Sequence, residues 1–208
     1  MAHAEEVKHD QTLPPNPETA TLEGKNKFLG FWFFLGGETV LFGSLFGTYL
    51  GLRNGVADGP TPAELFHLDL VFIMTMLLLT SSLTSVFAMI AMKKGNFKGL
   101  MLWMWVTVIL GLGFLGFEIY EFVIYVNQYE LGFTTSAFSS AFYTLVGTHG
   151  AHVTFGILWI ITLLIRYRKA GITLTNAPKF YVASLYWHFI DVVWVFIFTV
   201  VYLMGIGG

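Results

Sequence analysis

Gly99 to Tyr125, GLMLWMWVTVILGLGFLGFEIYEFVIY, runs for 27 positions with no lysine, arginine or proline, and its only charged side chains are Glu118 and Glu121. About 20 apolar residues at 1.5 Å rise cross the hydrocarbon core of a bilayer. The stretch lacks the alternation of a barrel strand, and an isolated segment in lipid satisfies its own backbone only as a helix. It therefore reads as a transmembrane helix. Four more stretches read the same way: Phe28 to Leu52, His67 to Met92, Thr135 to Ile165 and Phe180 to Ile206. The expected fold is an all-α integral membrane bundle of five transmembrane helices.

Composition agrees with this reading. The chain has 208 residues, 55% hydrophobic and only 12% charged, with a mean hydropathy of +0.68. Charged residues make up about a quarter of an ordinary soluble domain, so a water-soluble fold is excluded. A net charge of −2 provides no electrostatic footprint for nucleic acid. The chain has no cysteine. That excludes disulfides, thiolate zinc sites, iron–sulfur clusters and a cysteine nucleophile.

Residues 1–27 are polar, contain Glu5, Glu6, Asp10, Glu18 and Glu23, and hold Pro14, Pro15 and Pro17. They read as a flexible polar N-terminal arm ahead of a membrane domain over 28–208. No basic segment leads into a short apolar core, so a cleaved signal peptide is not expected. The sequence ends close to the last span, and no extramembrane domain for soluble chemistry is expected. All six prolines, at 14, 15, 17, 60, 62 and 178, fall outside the five stretches, which predicts uninterrupted helices.

Lysine and arginine alternate by side. Lys8, Lys25 and Lys27, then Lys93, Lys94 and Lys98, then Arg166, Arg168, Lys169 and Lys179 belong to one side, and Arg53 to the other. The positive-inside rule places the N-terminus in the cytoplasm and the C-terminus outside.

Within the stretches lie five carboxylates, Glu38, Asp69, Glu118, Glu121 and Asp191. Asp69 is near a helix start; the others need partners, because a lone carboxylate in hydrocarbon is costly. The available imidazoles are His149, His152 and His188, with His67 at an edge. Glu118 with Glu121, His149 with His152, and His188 with Asp191 are each spaced i, i+3, which puts the members of a pair on one helix face. Convergence of these faces would form either a proton relay or metal site, or interhelical hydrogen bonds that lock the bundle. No Glu-x-x-His pair occurs, which disfavours the metal reading. Glu38 is the lone ionisable group near the middle of its stretch. It must face protein, a lipid headgroup or a proton path.

Small residues suggest close helix contacts. Gly43, Gly47 and Gly51 form a doubled small-xxx-small face and are expected to pack against another helix. Thr80, Ser81, Ser82, Thr84 and Ser85 are expected to hydrogen-bond along and between helices. Gly111, Gly113 and Gly116 mimic a dinucleotide fingerprint, but no strand precedes them, so no nucleotide site is assigned.

Four motifs in one order resemble subunit 3 of the haem–copper cytochrome c oxidases: Gly36-Gly37-Glu38-Thr39-Val40-Leu41-Phe42, Phe117-Glu118-Ile119-Tyr120-Glu121-Phe122, Gly147-Thr148-His149-Gly150-Ala151-His152-Val153, and Tyr186-Trp187-His188-Phe189-Ile190-Asp191-Val192-Val193-Trp194. The chain looks like the shorter bacterial form, lacking the first two of the seven helices found in many members. The resemblance implies a core subunit of a proton-pumping aerobic respiratory terminal oxidase in the bacterial cell membrane, fed by cytochrome c, with a related quinol oxidase as the alternative. It implies no catalytic centre, cofactor or metal in this chain, haems and copper in partner subunits, and structural phospholipid. The implied partners are the catalytic subunit 1, the electron-entry subunit 2 and a small fourth subunit. By resemblance, Glu38 is the candidate for lipid contact or a proton path, and Glu118, Glu121, His149, His152, His188 and Asp191 make interhelical polar contacts. A small proton or solute transporter and an intramembrane metalloenzyme are the readings from other classes.

Overall fold

The computed structural model describes residues 14–56, 65–66 and 68–207. The first 13 residues of the arm, His67, Pro60 and Pro62 lie outside the described residues. Five helices long and apolar enough to cross a membrane are present among those described. They are α1 (Leu22–Leu52), α2 (Leu68–Lys93), α3 (Phe97–Tyr129), α4 (Ala137–Tyr167) and α5 (Ala177–Ile197). A π-helical segment, Phe198–Leu203, and a last α-helical turn, Met204–Gly207, continue the fifth span.

The ends have local causes. Thr21 caps α1 by accepting from the Gly24 N–H at 3.0 Å, and Asn96 caps α3 by accepting from that of Gly99 at 3.0 Å. Ser136 and Ser139 form a capping box at the start of α4. Gly95, at φ 69°, lets the chain leave α2 and enter α3 within three residues.

Two expectations are corrected. The arm is not loose up to residue 27: α1 begins at Leu22, and Glu18, buried to 4% exposure, faces Lys93 at 3.4 Å. The chain therefore bridges the N-terminal end of α1 and the C-terminal end of α2. The fifth span is also not a plain helix. Pro178 lies inside its first turn, where its missing N–H costs nothing, and the span runs on without interruption but takes π geometry from Phe198 to Leu203. There the Met204 N–H reaches back five residues to the Thr199 carbonyl, and Val201 and Tyr202 are both buried.

Helices α2, α3, α4 and α5 pack each against the next, and α5 closes back on α2; α1 lies outside this group against α4 and α5. Apart from Gly24 in its first turn, the buried residues of α1 form a narrow edge, Leu35, Phe42 and Tyr49, spaced seven apart. The rest of its surface, including Trp32, Phe33 and Val40, is exposed apolar side chain, as suits a helix whose solvent is lipid.

The glycine stripe meets no other helix among the described residues. Gly43, Gly47 and Gly51 are exposed, and a Cβ added at any of them would meet nothing within 4 Å. They lie off the Leu35, Phe42, Tyr49 edge. Close packing falls instead to Gly111, where a Cβ would come within 2.6 Å of Trp187, and to Gly156, within 3.1 Å of Tyr186. Gly111→Ala is therefore expected to destabilise the bundle by about 1–3 kcal/mol. The triple change of Gly43, Gly47 and Gly51 to alanine should leave the chain's own fold within about 0.5 kcal/mol of wild type. Thermal denaturation of both variants in detergent checks the contrast.

Candidate functional site: buried polar contacts between helices

Helix α2 presents its hydroxyls to α3 and α5. Thr84 and Thr107 bond each other at 2.8 Å, and Ser85 bonds Ser184 at 2.7 Å. Trp187 donates its indole N–H to Ser81 at 2.9 Å, and Trp194 donates to Thr75 at 3.0 Å. Buried indoles take such partners because an unmade hydrogen bond in an apolar interior is expensive.

The ionisable pairs do not converge on one centre. Three residues along a helix turn the direction of a side chain by about 60° at 3.6 residues per turn. In a crowded bundle that is enough to face a different neighbour. His149 is fully buried between Phe114 and Trp194, with ring centroids 5.7 and 5.2 Å away, and its Nε2 lies 3.3 Å from the Ile190 carbonyl on α5. His152 faces α1 instead, where its Nε2 lies 2.9 Å from Glu38 Oε2. His188 turns toward α2, its Nδ1 2.7 Å from the Ser82 hydroxyl. Asp191 is buried on the same helix, and among the described residues its oxygens accept no hydrogen bond. Asp69 is exposed in the first turn of α2, where a negative charge complements the helix dipole.

The acids of α3 both face inward. Glu121 accepts from two tyrosine hydroxyls, Tyr125 at 2.7 Å and Tyr202 at 2.8 Å. Tyr202 reaches it from the π segment, so this contact joins α3 to the end of the fifth span. Glu118 has 2% exposure and is seated against α4 at Gly150, where a Cβ would lie 2.5 Å from its carboxylate. The absent side chain of Gly150 is what makes room for the acid.

Sequence reasoning missed Tyr125, Tyr202 and Gly150 as partners of the acids and Ser82 as the partner of His188. It also left the partner of Glu38 open. Tyrosines in a chain with 17% aromatics carry no distinguishing mark. The Glu121 to Tyr125 spacing of i, i+4 was the one usable signal.

Among the described residues no three His, Asp or Glu side chains gather as a group that could hold a metal ion. Fold and site thus define a class: a multi-pass helical membrane protein whose buried polar side chains are used to join helices. Within that class the match is specific, since the family described as cytochrome c oxidase subunit III matches residues 5–206. The chain is similar to cytochrome c oxidase subunit 3 of Alkalihalophilus pseudofirmus, 78% identical over 97% of this chain and 98% of that one. It is 68% identical to the subunit 3 of that name from Bacillus sp. strain PS3, over 99% and 100% of the two chains. A quinol oxidase subunit 3 from Bacillus subtilis is 50% identical over the whole of both. The chain belongs to the cytochrome c oxidase subunit III family.

Proposed function

We propose that the chain is the non-redox third subunit of a proton-pumping terminal oxidase that takes electrons from cytochrome c. It sits in the bacterial cell membrane against a catalytic haem–copper subunit 1 and an electron-entry subunit 2, with a small fourth subunit as a further neighbour. The haems and copper belong to those partners. The observation that carries this reading is the full-length match, with identities of 78% and 68% to cytochrome c oxidase subunits against 50% to a quinol oxidase subunit. Extraction in mild detergent should copurify the chain with haem a absorbance in a larger partner. Recovery as a lone, haem-free chain from native membranes would overturn the assignment.

The N-terminus faces the cytoplasm and the C-terminus the outside. Support comes from the basic segments, which share one end of the bundle: Lys93 meets Glu18 ahead of α1, and Lys27 and Lys179 line one groove. The membrane domain is taken to begin with α1 at Leu22, and the segment just ahead of it is tied to it through Glu18 and Lys93.

The same groove supports the role of structural phospholipid. Lys27 and Lys179 line it with Phe31, Phe34, Trp159 and Leu163, around a space of about 390 Å³, and Lys27 also pairs with Glu23. Lysines beside an apolar slot between helices suit an anionic headgroup with its acyl chain. Phe34 also lines a second hollow of about 190 Å³ with His152, Phe155 and Tyr186, so the surface continues inward to the histidine that holds Glu38. Glu38 is accordingly our candidate for lipid contact or a proton path at that inner end. Changing Lys27 and Lys179 together to methionine is expected to lower the phospholipid retained by the purified oxidase and shorten its sustained turnover, with the haem spectrum unchanged. Unchanged phosphorus content and lifetime would remove the groove from the proposal.

A further inference from the structure

Glu38 and His152 join α1 to α4 by a hydrogen bond in a stretch otherwise held by apolar contacts. Leu35 and Phe42 are buried there, the Phe42 ring lying 5.0 Å from the imidazole, and Phe31, Phe34 and Phe46 lie against Trp159, Tyr186 and Phe196. The hydrogen bonding of the imidazole determines where its protons are. His152 Nδ1 is 2.7 Å from the Thr148 carbonyl oxygen, and a carbonyl only accepts, so Nδ1 carries a proton. Nε2 is then the nitrogen left for Glu38, and it faces Oε2 at 2.9 Å.

We propose that Glu38 and His152 form a one-proton latch, in which a single proton between Oε2 and Nε2 keeps the pair neutral and holds α1 on α4 within the bilayer. With that proton present, the pair is either carboxylic acid with imidazole or carboxylate with imidazolium, and both carry no net charge. Without it, a carboxylate and an unprotonated nitrogen confront each other as two acceptors. The bond is lost, and a net negative charge remains at lipid depth, where charge is least tolerated. The contact therefore depends on that one proton.

The groups around the latch are few. On α4, His149 stands one turn away and gives its Nε2 to the Ile190 carbonyl. On α5, Tyr186 donates its hydroxyl to the His152 carbonyl oxygen at 3.2 Å and places no charge beside the pair. On α1, the charged side chains Glu23, Lys25 and Lys27 lie in its first two turns, and Tyr49 is eleven residues beyond Glu38. The latch concerns the pair at the inner end of the proposed lipid groove, but it rests on helix geometry and not on what fills the groove.

The test uses the whole oxidase in lipid bilayers. With ¹⁵N-labelled histidine, signals of His152 are assigned by their loss in His152→Asn. The latch requires a protonated Nδ1 and an Nε2 signal that shifts in Glu38→Gln; an unprotonated Nδ1, or no shift, overturns it. Nitroxides placed at Val40 and Phe155, both exposed, report whether α1 stays docked. Wild type and Glu38→Gln, whose amide also donates to Nε2, are expected to share one narrow distance, and Glu38→Ala to show a longer or broader one. The same distance in all three proteins overturns the latch. If Glu38→Ala fails to assemble, the histidine signals of wild type against Glu38→Gln still decide. Neither readout is oxidase activity, so failure of the latch and failure of the oxidase assignment are separable.

Discussion

Replacing Gly150 with alanine is expected to destabilise the bundle by about 2–4 kcal/mol, combining overpacking with displacement of a buried acid. The new methyl group would lie 2.5–2.8 Å from the Glu118 carboxylate, closer than non-bonded atoms can sit. Glu118 is buried, with no hydrogen-bond partner for either oxygen among the described residues, so it has no alternative contact to move onto. Melting followed by circular dichroism in detergent measures the loss. Combining Gly150→Ala with Glu118→Ala should recover part of it, because the two changes act on one contact and cannot add. A double variant as unstable as the sum of the singles would mean that Gly150 matters for another reason.

Glu121→Leu should be of similar size, about 2–5 kcal/mol, since it leaves the hydroxyls of Tyr125 and Tyr202 buried without their acceptor. Both tyrosines have about 1% exposure or less, so no solvent can take over. Glu121→Gln keeps an oxygen for one hydroxyl and an amide for the other, and its cost should be less than half as large. The expected order of melting temperatures is wild type, then Gln, then Leu. Equal values for Gln and Leu would show that charge, and not hydrogen-bonding capacity, sets the role of Glu121. The effect should include looser packing of the π segment, because Tyr202 is its link to α3.

The two acids illustrate what could be read in advance. Their i, i+3 spacing put both on one face of α3, and both are buried. What that face meets could not be read. Gly150 lies in the His149, His152 motif, but its use is to be empty, and an empty place leaves no pattern in composition or spacing. The histidine motif itself suggested one shared face. A turn of about 60° between its members sends His149 into the aromatic interior and His152 to α1, because α1 happens to pack beside α4. The Gly43, Gly47, Gly51 stripe shows the opposite case. The pattern is conspicuous yet meets nothing among the described residues, since Leu35, Phe42 and Tyr49 provide the docking edge.

Residue order alone determined the five spans, their approximate limits and the outward display of apolar side chains, because hydrocarbon imposes length and hydrophobicity on each helix separately. It also limited the buried ionisable groups to a handful. Only the tertiary structure decided their partners: Glu38 with His152, Glu121 with two tyrosines, His188 with Ser82, and Glu118 with the gap at Gly150. The physical reason is that lipid solvates every apolar face alike, so hydrophobic pattern cannot say which helix meets which. That choice rests on fit between small and large side chains and on a few hydrogen bonds, and those depend on where neighbouring helices lie in space.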